Sequence, residues 1–161
     1  MPHITLVAHN IRSTHNVGSI FRTADGFGVN KIILSGYTPY PTIDGDTRLP
    51  HIRDKLTSQI HKTALGAESA VPFEYLETLD LGTLAVGGAR IVALEQSEQS
   101  IKLREYATPS RLVLLVGEEV HGIPQELLDD CDDIIEIPML GSKESFNVSV
   151  ATGIALYALT I

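Results

Sequence analysis

Three stretches of this 161-residue chain place glycine beside side chains able to hold a polar ligand. The first, Asn16-Val17-Gly18-Ser19-Ile20-Phe21-Arg22-Thr23-Ala24, offers an amide and a guanidinium. The second, Leu115-Val116-Gly117-Glu118-Glu119-Val120-His121-Gly122-Ile123-Pro124, offers carboxylates. The third runs from Ile137-Pro138-Met139-Leu140-Gly141 into Ser145-Phe146-Asn147-Val148-Ser149, where a broken strand end meets a helix start with three hydrogen-bonding side chains. Such groups suit binding and alignment of a ligand. Other chemistries lose support. Neither a G-x-G-x-x-G after a strand nor a G-x-x-x-x-G-K-[ST] is present. His9 and His15, or His51 and His61, lack zinc spacing, so no metal is assigned. The lone Cys131 lies among Asp129, Asp130, Asp132 and Asp133, which should raise its pKa and keep it inert.

These stretches need strands to carry them. Short apolar runs, several of them rich in Ile and Val, recur at Ile4–Ala8, Lys31–Ser35, Phe73–Leu76, Arg90–Leu94, Leu112–Val116 and Ile134–Ile137. Several do not alternate, as expected of parallel strands covered on both faces. Helix-like stretches intervene at Val17–Phe27, about 57–68, about 79–87, Pro124–Cys131 and Phe146–Leu159. The expectation is one α/β domain over 1–161, its mostly parallel sheet flanked by helices, with each polar stretch at a strand end. Gly36–Leu56 reads as a long irregular loop with Pro39, Pro41, Gly45 and Pro50. Val17, Ile20, Phe21, Ala24 and Phe27 form a core stripe, leaving Gly18, Arg22 and Asp25 on another face. The last helix is apolar almost all round, so its outer face is expected to meet a second copy in a homodimer.

The net charge of −8 is unevenly spread. Residues 1–62 carry seven Lys/Arg and four Asp, a balance of +3, while 63–161 carry five basic and 16 acidic residues, a balance of −11. That asymmetry suggests one surface for a polyanion. Arg48, His51, Arg53, Lys55, His61 and Lys62 form the densest basic segment, which Arg12 can join. Tyr37 and Tyr40 offer rings for base stacking or for loop packing. No run is long and apolar enough for a membrane span, no secretory pattern opens the chain, and a single cysteine fits a cytoplasmic protein.

Together, in this order, the three stretches resemble the motifs of the SpoU-type RNA methyltransferases of the SPOUT superfamily. N-x-G-x-x-x-R-x-A is met by Asn16, Gly18, Arg22 and Ala24, and G-x-E-x-x-G by Gly117, Glu119 and Gly122. I-P-M-x-G followed by S-[L/M]-N-[V/L]-S is met from Ile137 to Ser149, with Phe146 where Leu or Met is usual. The resemblance implies transfer of a methyl group from S-adenosylmethionine to a ribose 2′-hydroxyl of RNA. It also implies a C-terminal trefoil knot, an exception to the usual unthreaded topology, and an active site completed across a dimer. Cofactor contacts carried over in this way are Leu94, Gly117, Ile137, Met139, Ser145 and Phe146. Arg22 takes the central catalytic role, with Asn16, Glu119, Ser145 and Asn147 positioning it, the ribose or the cofactor, while Glu118 is expected to be solvated. The RNA-contacting set is Arg12, Arg22, Arg48, Arg53 and Lys55. The chain reads as a minimal form without an appended RNA-binding domain, which favours tRNA slightly over rRNA. The alternative is a non-catalytic RNA-binding or cofactor-sensing dimer with the same fold.

Overall fold

The computed structural model describes residues 1–161. Its seven strands are β1 (His3–His9), β2 (Lys31–Ser35), β3 (Phe73–Leu76), β4 (Arg90–Leu94), β5 (Ile101–Lys102), β6 (Arg111–Val116) and β7 (Asp133–Glu136). They form one sheet in the order β3-β2-β1-β6-β4-β7-β5. Every pairing is parallel. The helices are α1 (Thr14–Gly26), α2 (Pro50–Ala64), α3 (Ala67–Ala70), α4 (Gln125–Asp129) and α5 (Val148–Thr160).

Side chains of the central strands alternate between two cores, as a period of two requires. Leu6, Ala8, Ile32, Leu34, Leu112 and Leu114 face α1, α2 and α5 in the larger cluster. Val7, Ile33, Ala93, Val113 and Leu115 face Leu81 and Ile123 in the smaller, with Leu127 and Leu128 of α4 packed against it. Burial on both faces explains why β6 reads as an unbroken apolar run. All seven strands point the same way, so the segments after β1, β4, β6 and β7 leave one edge.

Some boundaries differ from the sequence reading. Helix α2 begins at Pro50, where the missing N–H of proline costs nothing in the first turn. The irregular region therefore ends at Leu49, and helix α2 stops at Ala64 before the short α3. The stretch expected as a helix near 79–87 folds instead as two 3-10 turns, Leu81–Leu84 and Val86–Gly88, with Gly87 at positive φ. Strand β5 was not expected. Two residues are too few for a periodic signal.

Helix α5 starts at Val148, with Asn147 rather than Phe146 as the boundary, and its carboxamide oxygen accepts from the amides of Ser149 and Val150. Val148, Thr152, Ala155, Leu156 and Leu159 are buried within the chain, whereas Val150, Ile154 and Tyr157 are exposed. In α1, Gly18 does not share an open face with Arg22. It is buried against α2, where a Cβ would lie 2.3 Å from the Ile60 carbonyl oxygen, while Arg22 and Asp25 are exposed.

Candidate functional site

A cavity of about 450 Å³ opens where β4, β6 and β7 end. Three loops wall it: the residues after β4, the Gly117–Ile123 turn after β6, and the 137–147 segment that leads into α5. Gly117 is needed at the first bend. A Cβ there would lie 2.5 Å from Ile123 Cγ1 and 3.0 Å from the Gly122 backbone. Gly122 takes φ +69°, a conformation that favours glycine, and donates its N–H to the Glu118 carbonyl at 2.9 Å.

Leu94, Gly117, Ile137, Ser145 and Phe146 of the expected cofactor set line this cavity. Met139 does not; it is half-buried outside the cavity lining, after the exposed Pro138. The wall also holds groups that the motifs did not single out. Glu95 Oε2 accepts from Ile123 N at 3.0 Å, tying the end of β4 to the turn after β6. Gln96 Nε2 donates to the Glu144 carbonyl at 2.7 Å and so fixes the third loop. Both directly follow Leu94, so their position past a buried strand end was the available signal.

Beside the cavity the three motifs touch. Asn147 Nδ2 donates to Asn16 Oδ1 at 3.2 Å, and Asn16 Nδ2 donates to Glu119 Oε1 at 3.1 Å. Glu119 Oε2 accepts from the Arg12 amide at 3.3 Å. Each amide thus works at both ends, since Asn147 Oδ1 also caps α5. Arg22 stands apart: it is exposed on α1, and its side chain has no hydrogen bond or ion pair within the chain. It follows Asn16 by six residues, about 9 Å along the helix axis.

Glu118 is not solvated. Its side chain is 6% exposed, with Oε1 facing Arg12 Nε at 3.5 Å and Oε2 accepting from His121 N at 2.7 Å. The wall carries Glu95, Glu118, Glu119, Glu136 and Glu144 but no Lys or Arg. An acidic wall of this kind favours a cationic ligand over a phosphate.

The basic segment is divided by the fold. Arg48 is internal to its loop: it pairs with Asp46, donates to the carbonyls of Tyr40 and Pro41, and lies 3.5 Å over the Tyr40 ring. Asp46 is held well below the usual carboxylate range by that guanidinium. Tyr40 in turn stacks on Tyr75 at 4.0 Å, so its ring is packed within the loop. Arg53 is partly buried beside Asp46 and Asp54. Lys55, Arg12 and Tyr37 are exposed.

Elsewhere, burial first and then Asp130 and Asp132 push the Cys131 thiol up to about 11. No group of His, Cys, Asp or Glu has the arrangement of a metal site. No helix is long and apolar enough to cross a membrane.

The chain is similar to several known proteins. A model of the SpoU rRNA Methylase family matches residues 3–157. The tRNA (guanosine(18)-2′-O)-methyltransferase of Aquifex aeolicus is 34% identical over 96% of this chain and 67% of its own length. The 23S rRNA (guanosine-2′-O-)-methyltransferase of Pseudomonas putida is 31% identical over 97% of this chain and 58% of its own. The AdoMet-bound rRNA methyltransferase of Sinorhizobium meliloti superposes with a TM-score of 0.79 at 27% identity, over 98% of this chain and 55% of that one. The chain therefore spans between 55% and 67% of the length of these relatives.

Proposed function

The chain belongs to the SpoU rRNA Methylase family, and on that premise we propose that it transfers a methyl group from S-adenosylmethionine to a ribose 2′-hydroxyl of RNA. The observation that carries this reading is the cavity at the ends of β4, β6 and β7, bordered by the Asn147–Asn16–Glu119 hydrogen-bond chain. Its dimensions and lining fit the cofactor. A volume of about 450 Å³ suits a nucleoside-sized ligand. Leu94, Ile137 and Phe146 provide apolar surface for a base, and the carboxylates suit an ammonium and a sulfonium.

When bound, the cofactor supplies a methyl group already activated on sulfur. The remaining task for the protein is alignment of the hydroxyl and management of its proton. Asn16 and Asn147, each fixed at both ends, can present no alternative rotamer without breaking two bonds. Glu119 anchors that chain and the Arg12 backbone. Ser145, on the cavity wall, is placed to orient a ligand. Exposed Arg22 is assigned to an RNA phosphate or to developing oxyanion charge, because a guanidinium stays protonated and is a poor base. Replacing Arg22 by Lys should lower turnover at every pH, since a point charge cannot reproduce a bidentate fork.

The relatives above act on both tRNA and 23S rRNA. We favour tRNA for this chain, and a cytoplasmic setting where that RNA resides. We also infer a trefoil knot, supported by β7 lying between the earlier strands β4 and β5. A homodimer through α5 follows from its exposed Val150, Ile154 and Tyr157, which lie beside Phe27. Sedimentation at micromolar concentration should give a dimer that Ile154→Glu dissociates; a wild-type monomer would remove the dimer. Incubation of bulk tRNA, and separately of rRNA, with labelled S-adenosylmethionine tests the activity. Tight cofactor binding without transfer to either RNA would instead favour a cofactor-sensing protein.

A further inference from the structure

The loops after β1 and β2 leave the same sheet edge as the cavity and are laced together. Asn10 has left-handed backbone, φ 56°, and its side-chain oxygen accepts from Tyr37 N at 3.0 Å. Buried Thr38 accepts from Ile11 N at 3.0 Å and donates to the Ala8 carbonyl at 2.9 Å. Gly36 is required at this crossing, because a Cβ there would lie 1.9 Å from Asn10 Oδ1. Arg12 and Tyr37 are thereby displayed from adjoining, fixed backbone. Both side chains are largely exposed, at 66% for Arg12, and the Tyr37 residue at 53%. The Tyr37 hydroxyl is the largest influence raising the Arg12 pKa, ahead of Glu118, as neighbours should be.

Beneath Arg12 lies the buried Glu118. Its Oε1 has no hydrogen bond, and the only cation within ion-pair distance is Arg12 Nε at 3.5 Å. An unpaired buried carboxylate is costly, so Glu118 draws the guanidinium toward itself. Nε faces that carboxylate, and the guanidinium, beside the Tyr37 hydroxyl and 66% exposed, keeps donors open to solvent as a fork for phosphate. Tyr37 offers an aromatic face next to that fork, the usual platform for an unstacked base.

We propose that Arg12 and Tyr37 form a seat for one nucleotide of the RNA, phosphate on the guanidinium and base on the ring, with Glu118 as the positioning residue that holds Arg12. This rests on the RNA methyltransferase reading and adds a substrate contact from residues outside the three motifs' matched positions. Glu118 also lines the cofactor cavity, so its variant is read in RNA binding rather than in transfer.

The test is a salt titration of binding to unmodified bulk tRNA and, separately, unmodified large-subunit rRNA, with methyl transfer measured alongside. Arg12→Ala should lower the slope of log K against log salt by roughly 0.7 to 0.9, one phosphate's share. Tyr37→Ala should weaken binding about tenfold and leave that slope unchanged, whereas Tyr37→Phe, which keeps the ring, should lose less than Tyr37→Ala. Glu118→Gln should weaken RNA binding through Arg12 alone, so the Glu118→Gln/Arg12→Ala double variant should bind no worse than Arg12→Ala. Additive losses in the double variant, or an intact slope in Arg12→Ala, would overturn the seat while wild-type transfer stands. Absence of wild-type transfer to either RNA would instead remove the underlying reading. Arg12→Ala alters only an exposed side chain, so its slope decides the matter even if Glu118→Gln folds poorly.

Discussion

Replacing Gly122 by Ala should damage the cavity from within, by an amount that the geometry bounds. The position has φ +69°, and an L side chain in that region costs roughly 1–2 kcal/mol. The new Cβ would also lie 2.2 Å from Glu95 Oε2, the atom that accepts from Ile123 N. Glu95 must swing away, and a hydrogen bond to a charged group contributes about 1.5–3 kcal/mol. The carboxylate ends a flexible side chain, so only part of that is lost, leaving a total of about 2–4 kcal/mol. For a chain of this size that corresponds to a fall in Tm of about 4–16 °C. Glu95 lines the cavity, so its displacement should make S-adenosylmethionine bind about tenfold more weakly by calorimetry. Adding Glu95→Ala removes the clash, and the double variant should be less destabilised than the two single losses combined. A Gly122→Ala protein with Tm within about 1 °C of wild type and unchanged cofactor affinity would refute the packing argument.

Gly18→Ala should destabilise by about 1–3 kcal/mol, since its Cβ would meet the Ile60 carbonyl and force α1 from α2; Gly26→Ala, with open space around it, is the control in the same urea titration. Asp133 is held below the usual carboxylate range by bidentate bonds from Arg90, against the opposing effect of burial. A depressed folded pKa contributes stability above the unfolded value of about 3.9 and loses it as pH falls through the folded value. Asp133→Asn should therefore have a lower urea midpoint than wild type near neutrality, with the gap closing in acid. Cys131, raised to about 11, should react with iodoacetamide at pH ~8 roughly a hundredfold more slowly than a free thiol; a rate within about threefold of a free thiol would contradict its burial.

Strands were the most legible part of the fold, because burial on both faces leaves unbroken apolar runs such as Leu112–Val116. Their order was not legible: nothing local in Ile101-Lys102 records that it pairs with β7. Proline misled where it breaks a strand in one context and opens a helix in another, as at Pro50. The leucines at 81 and 84 have helical spacing, yet Gly82, Gly87 and Gly88 favour tight turns instead. Within the site, glycine and amide positions were readable because backbone approach and two-ended hydrogen bonding demand those residue types. Glu118 was not, since sequence alone cannot tell a buried carboxylate facing Arg12 from its half-buried neighbour Glu119, which holds Asn16. Arg48 was misleading for the same reason, as its partner Asp46 is two residues away and equally suggestive of a free loop.

The methyl group should reside on the ribose 2′-oxygen, and alkali reads that position directly. RNA labelled by this protein from S-adenosylmethionine is hydrolysed in base, which cleaves only where a 2′-hydroxyl is free. The account predicts label confined to alkali-resistant dinucleotides, strongly reduced by Arg22→Ala and by Asn16→Ala. Label recovered in mononucleotides would place the methyl on a base and contradict it.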